Sequence, residues 1–146
     1  FQNLLDQKKI LPLTSKEMTR FFIPIQDALT FVLSCLYRSK GGEIFIPKMY
    51  SIKMLDLIDL LNPKAKIKVT GIRPGEKLHE SLFSIDESRS INQDKNSFII
   101  YSENLKFLKK YGLKLRKEYA YISSDKNSLN KKKISIFLKR YLSEKK

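Results

Sequence analysis

Cysteine and histidine are almost missing from this chain, which has one of each, Cys35 and His79. A lone cysteine excludes an intrachain disulfide framework and any cysteine-cluster metal site. A lone histidine leaves little from which to build a zinc site, so no bound metal is expected. No apolar run approaches the ~18 residues of a membrane span, and no secretory signal is recognisable. Two phosphate-cradling signatures are also missing. No Gly-x-Gly-x-x-Gly follows a strand-like run, and there is no P-loop, so the usual marks of a self-sufficient nucleotide enzyme are absent. Repeats and low-complexity linkers are lacking too.

Acidic residues are scarce, 15 against 29 basic ones, for a net charge of +14. Such a balance invites a nucleic-acid reading. Its distribution favours a solvated basic face instead. Residues 103–146 carry 14 of the basic residues and only four acidic ones, and 23 of the 29 are lysine. The 42% hydrophobic content suffices for a core, and 146 residues make one domain or a large part of one. The chain starts at Phe1 on an amphipathic run, and is expected to be the C-terminal portion of something longer.

Taken in order, Phe1 to Lys8 reads as the tail of an amphipathic helix and Ile10 to Leu13 as a short strand, with Pro12 at an edge. Thr14 to Met18 is a polar loop and Thr19 to Ile25 is extended. A helix runs from Gln26 or Asp27 to Arg38, with Ile25, Leu29, Val32, Leu33 and Leu36 on one face and Cys35 in its apolar core pattern; Lys40-Gly41-Gly42 stops it. Glu43 to Pro47 is a strand, Lys48 to Tyr50 a loop, and Ser51 caps a second helix ended by Asn62-Pro63. Ala65 to Thr70 is a strand. Leu78 to Phe83 starts a helix, Ser84 to Lys95 is a polar loop, and Ser97 to Tyr101 is a strand. Glu103 to Tyr111 forms a helical turn, Glu118 to Ile122 is extended, and Ser123 to Asn127 turns. A final helix starts at Ser128 or Asn130, with Ile134, Phe137, Leu138 and Tyr141 inward. Alternating strands and helices indicate an α/β organisation with three main helices.

The most informative stretch is Gly71-Ile-Arg-Pro-Gly-Glu-Lys-Leu-His-Glu80. Pro74 fixes φ and Gly75 permits a conformation closed to most residues. Arg73 offers a planar fork suited to phosphate, and Glu76 can accept from sugar hydroxyls. An anion-binding turn and a plain αβ-loop with a surface arginine both fit these residues.

Three segments together resemble one family: Leu11-Pro-Leu-Thr…Met18-Thr-Arg-Phe21, Gly42-Glu-Ile-Phe-Ile-Pro-Lys48 and Gly71–Glu80. In order and spacing they are similar to the C-terminal substrate-binding region of extended short-chain dehydrogenase/reductases of polysaccharide and nucleotide-sugar biosynthesis. The closest likeness is to the inverting UDP-N-acetylglucosamine 4,6-dehydratases. It covers roughly residues 1–85, with an echo of a Tyr-x-Ser…Asn…Leu stretch between Glu118 and Leu138. The resemblance implies that Arg73 and Arg20 contact the UDP diphosphate, that Glu76 contacts the ribose, and that Leu13, in the strand Leu11 to Leu13, flanks uracil. Asp27 matches an acid that opens the next helix, as a cap or a ligand. Phe22 and Tyr50 depart from the family, which more often has Trp or Tyr, and Pro, there. Phe-Ile-Pro-Lys and Leu-His-Glu point to the inverting branch.

The resemblance also implies a surface-polysaccharide role, NADP as cofactor, a cytoplasmic location, a homo-oligomer and UDP-sugar as partner. The family's Tyr/Lys pair and its acid–base residues belong to an N-terminal cofactor domain, which this chain is expected to lack. Its fold class is therefore the α/β substrate-binding portion without most of the Rossmann domain. Residues 1–101 form the UDP-sugar-binding region, and 102–146 a basic extension ending in an amphipathic helix. No catalytic or cofactor-binding residue is expected, and the chain alone is expected to be an inactive part of a lyase. Tyr141-x-x-x-Lys145 matches the catalytic spacing by chance. The alternative from another class is a stand-alone basic module for nucleic acid or acidic polymers.

Overall fold

In the computed structural model, residues 10–101, 112–124 and 129–143 are described, the last four as backbone only. The expected elements at 1–8 and 103–111, and the Tyr141–Lys145 pair, lie outside this description. The chain divides into two compact units, and passes between them at residues 22–23, 49–50, 80–81 and 122–123.

The first unit comprises residues 1–22, 50–80 and 123–146. Strand β1 (Leu11–Leu13) pairs in parallel with β5 (Ile67–Val69), and β2 (Thr19–Phe22) pairs antiparallel with β4 (Tyr50–Lys53). Helix α2 (Met54–Leu61) buries Met54, Leu57 and Ile58, the i, i+3, i+4 positions of one face. Helix α4 (Lys131–Ser143) answers with Ile134, backed by Phe137 and Leu138. These side chains join Leu11, Leu13, Met18 and Ile52 in one core. Lys131 Nζ reaches Asp59 and Asp56 on α2, at 3.0 and 3.7 Å.

The second unit comprises residues 23–49 and 81–122. Its antiparallel sheet has the order β3 (Glu43–Pro47), β8 (Ser97–Tyr101), β7 (Ile91–Gln93), β9 (Leu113–Lys114). A separate pair joins β6 (Ser81–Phe83) to β10 (Tyr121–Ile122). Phe83 and Phe98 meet edge-on, with ring centres 5.1 Å apart, and Tyr121 flanks both. Among the described residues of the unit are two helices, α1 (Ile25–Arg38) and the short α3 (Ile85–Ser88).

The α/β class stands, with a correction to several elements. Ser51 caps no helix. It lies in β4, where pairing with β2 wins over the local cap signal, and α2 begins at Met54. Residues 81–83 form β6 rather than a helix, because β10 supplies a partner. The polar stretch 84–95 holds α3 and β7; Ser84 and Glu87 close a reciprocal capping box there. Helix α1 has the expected apolar stripe, yet none of its residues is buried: Leu33 is 58% exposed and Leu36 70%. Cys35 is therefore half-buried rather than core, and burial pushes its thiol pKa up, which leaves it unactivated.

Candidate substrate-binding site

The site is built from β2 and the turn-rich segment 71–80 of the first unit. Gly71 and Gly75 both take φ of +81°, which few other residues adopt, and bracket Ile72-Arg73-Pro74 in a tight excursion after β5. The Glu76 N–H closes back on the Arg73 carbonyl at 3.0 Å, and the Arg73 N–H donates to Glu76 Oε2 at 3.4 Å. Glu76 is thereby pointed back across its own turn.

Arg20 meets it there. Its Nη1 donates to the carbonyls of Thr19 and Leu78, at 2.7 and 3.2 Å. Its other nitrogens face two carboxylates, Glu76 Oε1 at 3.8 Å and Glu80 Oε1 at 3.4 Å. Thr14 donates to Glu76 Oε1 at 2.8 Å. That hydroxyl is the main reason the Glu76 pKa lies below the ordinary carboxylate value, helped by the Arg73 N–H and the two arginine charges. Arg73 itself projects into solvent, and no ion pair engages its guanidinium among the described residues.

Beneath this surface runs a buried hydroxyl network. Thr19 Oγ1 lies 2.7 Å from His79 Nδ1 and 2.9 Å from Ser123 Oγ. Ser123 Oγ accepts the N–H of Glu80 at 2.8 Å, and the Ser123 carbonyl accepts from Ser51 Oγ at 3.1 Å. Thr19, Ser51 and Ser123 are each at most 1% exposed. No buried side-chain polar atom lacks a partner among the described residues.

Of the residues singled out in the sequence, Arg20 and Glu76 come together. Arg73 reaches the cluster through its backbone. Leu13 is buried in the core, opposite Val69, and its carbonyl accepts the Thr70 N–H at 2.9 Å. Asp27 sits in the first turn of α1, in the second unit, while Pro24 holds the N-cap position. His79 is tied to Thr19, which accords with a structural role. Sequence reasoning missed Thr14, Thr19, Ser51, Glu80 and Ser123. Thr14, Thr19 and Glu80 lie in the segments that carry the family resemblance, and Ser123 is the serine of the Tyr-x-Ser echo, but no local pattern gives their contacts. The tyrosine of that echo, Tyr121, bonds both the N–H and the carbonyl of Met49.

Residues 1–102 match the family described as polysaccharide biosynthesis protein, and the chain belongs to that family. It is 41% identical, over 88% of its length, to a protein of Campylobacter jejuni named UDP-N-acetylglucosamine 4,6-dehydratase (inverting). It is 37% identical, over 60% of its length, to UDP-glucose 4-epimerase of Rickettsia rickettsii. The X-ray structure of Pen from Bacillus thuringiensis superposes with a TM-score of 0.83 over 97% of this chain, at 27% identity. The chain spans 42% of the dehydratase, 27% of the epimerase and 44% of Pen. Among the described residues, no helix is long and apolar enough to cross a membrane.

Proposed function

We propose that this chain supplies the UDP-sugar-binding part of a nucleotide-sugar 4,6-dehydratase or closely related epimerase, acting in the cytoplasm in surface glycan biosynthesis. What carries the reading is the approach of Arg20 to Glu76 in a family whose relatives are named for UDP-sugar chemistry. Arg73, exposed and without a competing ion pair among the described residues, is the arm that meets the diphosphate. Glu76, held ionised by Thr14, is an acceptor for ribose hydroxyls. Arg20 already has two carbonyls and two carboxylates around it, so its main task is to hold Glu76 in place. Leu13 acts from below, as the floor of the strand that flanks the base.

NADP is the cofactor proposed for the whole reaction, and the glycine pattern of the described strand-to-helix junctions does not fit a dinucleotide. Among the described elements, the strand-to-helix junctions at 22–25, 53–54, 83–85 and 122–131 carry no glycine, and the glycine-bearing turn after β5 leads to β6, not to a helix. No step is therefore assigned to a cofactor here. The chain alone is expected to leave UDP-N-acetylglucosamine unconverted when NADP is added. The nucleic-acid alternative draws no support from the relatives. Calorimetric titration with UDP tests the binding reading. Saturable UDP binding with a component that is lost in Arg73→Ala supports it, and a titration in which no component is lost in that variant overturns the assigned site.

A further inference from the structure

An open, shallow pocket of about 450 Å³ on the surface of the second unit is lined by the exposed side chains of Lys48, Lys95, Lys114 and Arg116, with Gln93, Asp94, Gly112 and Leu113 beside them. Its volume suits a small ligand. Lys48 Nζ donates to the Asp94 carbonyl at 2.6 Å and to Gln93 Oε1 at 3.2 Å, and stands 4.9 Å from the centre of the Phe98 ring. Its rotamer is thus held before any ligand arrives, which lowers the ordering cost of binding. Asp94, the one acid on the wall, is already engaged. Its carboxylate accepts from Arg38, from Ser97 Oγ and from the N–H groups of Asn96 and Ser97. Lys95, Lys114 and Arg116 are exposed and have no ion-pair partner among the described residues. The backbone is drawn in at the same place. Gly112, at φ +71°, lies so near β7 that a Cβ would stand 2.5 Å from the Gln93 carbonyl oxygen. This close approach, followed by the β7–β9 pairing, sets Lys114 on the pocket wall.

We propose that this pocket binds a diphosphate, either free pyrophosphate or the diphosphate of a nucleotide, at a site of its own. Four cations around one small pocket, with the local acid compensated, call for a ligand of more than one negative charge. The planar fork of Arg116 suits phosphate oxygens, and the ammonium groups supply point charges around it. The inference does not rest on the UDP-sugar reading.

The experiment is calorimetric titration of the 146-residue chain with pyrophosphate at fixed ionic strength. Saturable binding is expected, weakened at least about tenfold in Lys114→Ala/Arg116→Ala and retained in Arg73→Ala. Both replaced side chains are exposed, and circular dichroism checks that the fold persists; Lys95→Ala is the second variant, expected to weaken binding in the same direction. Absence of saturable binding overturns the proposal, as does unchanged affinity in the double variant or loss of binding in Arg73→Ala. Displacement of pyrophosphate by UDP from the Arg73→Ala chain identifies a nucleotide as the ligand, and failure to displace identifies free pyrophosphate.

Discussion

Ser123 Oγ lies 2.9 Å from Thr19 Oγ1, although 104 positions separate the two residues in sequence. The same oxygen accepts the N–H of Glu80, and the Ser123 N–H donates to the Glu80 carbonyl at 2.9 Å. One serine therefore fastens the segment carrying His79 and Glu80 to the strand carrying Arg20. Replacing Ser123 by alanine leaves the part-buried Glu80 N–H without its acceptor. Leaving a buried donor unpaired costs about 1–3 kcal/mol. The Ser123→Ala chain is expected to unfold at lower urea concentration by that amount, with an unchanged slope. A shift below about 0.5 kcal/mol, the size typical of surface changes, would refute the role given to this hydroxyl.

Glu76 makes a prediction about pH. Its pKa is lowered first by the Thr14 hydroxyl, so the folded chain favours the ionised carboxylate more than the unfolded chain does. The sign follows: its stabilising contribution is complete above the unfolded value and is lost as pH falls through the lower, folded value. Thr14→Val removes the donor and keeps the shape. In a carboxyl-detected NMR titration, the Glu76 midpoint is expected to move up toward the ordinary glutamate value in that variant. An unmoved midpoint would show that Thr14 does not set it.

How much of this was legible in the sequence differs from element to element. The strands Glu43–Pro47 and Ser97–Tyr101 stood out because each is a compact apolar run rich in isoleucine, and pairing with each other is what such runs do. Ser51 misled because a serine ahead of an amphipathic run is an equally good cap or strand residue. A partner 30 residues back, Phe21, decides the matter. The helical period over 25–38 located an apolar face but said nothing about whether anything covers it. Glu76 was singled out by chemical type, and Arg20 only through the family resemblance. The donation of Thr14 to Glu76, across 62 positions, has no local signature at all.

The two kinds of apolar position separate cleanly in a stability measurement. Ile58 on α2 is fully buried, whereas Leu33 on α1 is more than half exposed. Truncating a buried isoleucine loses its transfer free energy and leaves a cavity, at a cost of about 2–5 kcal/mol. Ile58→Ala is expected to show that loss in chemical denaturation of the 146-residue chain. Leu33→Ala is expected to stay within about 0.5 kcal/mol, since it removes little buried area. A large loss at Leu33 would mean that the face of α1 is covered in solution, and sedimentation at two protein concentrations would then reveal whether a second copy covers it.

Arg20 separates charge from geometry. A lysine in its place keeps the positive charge but is a point ammonium on a flexible stem, not a planar fork. It cannot serve the carbonyls of Thr19 and Leu78 while also facing Glu76 and Glu80, as the guanidinium does. If Arg20 acted only by attracting phosphate, Arg20→Lys would bind UDP nearly as well as the unmodified chain. Because Arg20 holds Glu76 and the 78–80 segment, the lysine variant is instead expected to lose at least about tenfold in UDP affinity, about 1.4 kcal/mol, and to melt earlier as well. Calorimetry and thermal unfolding on the same samples read both effects. Near-normal UDP affinity in Arg20→Lys, beside a loss in Arg73→Ala, would assign the whole of the electrostatic work to charge and none to the fork.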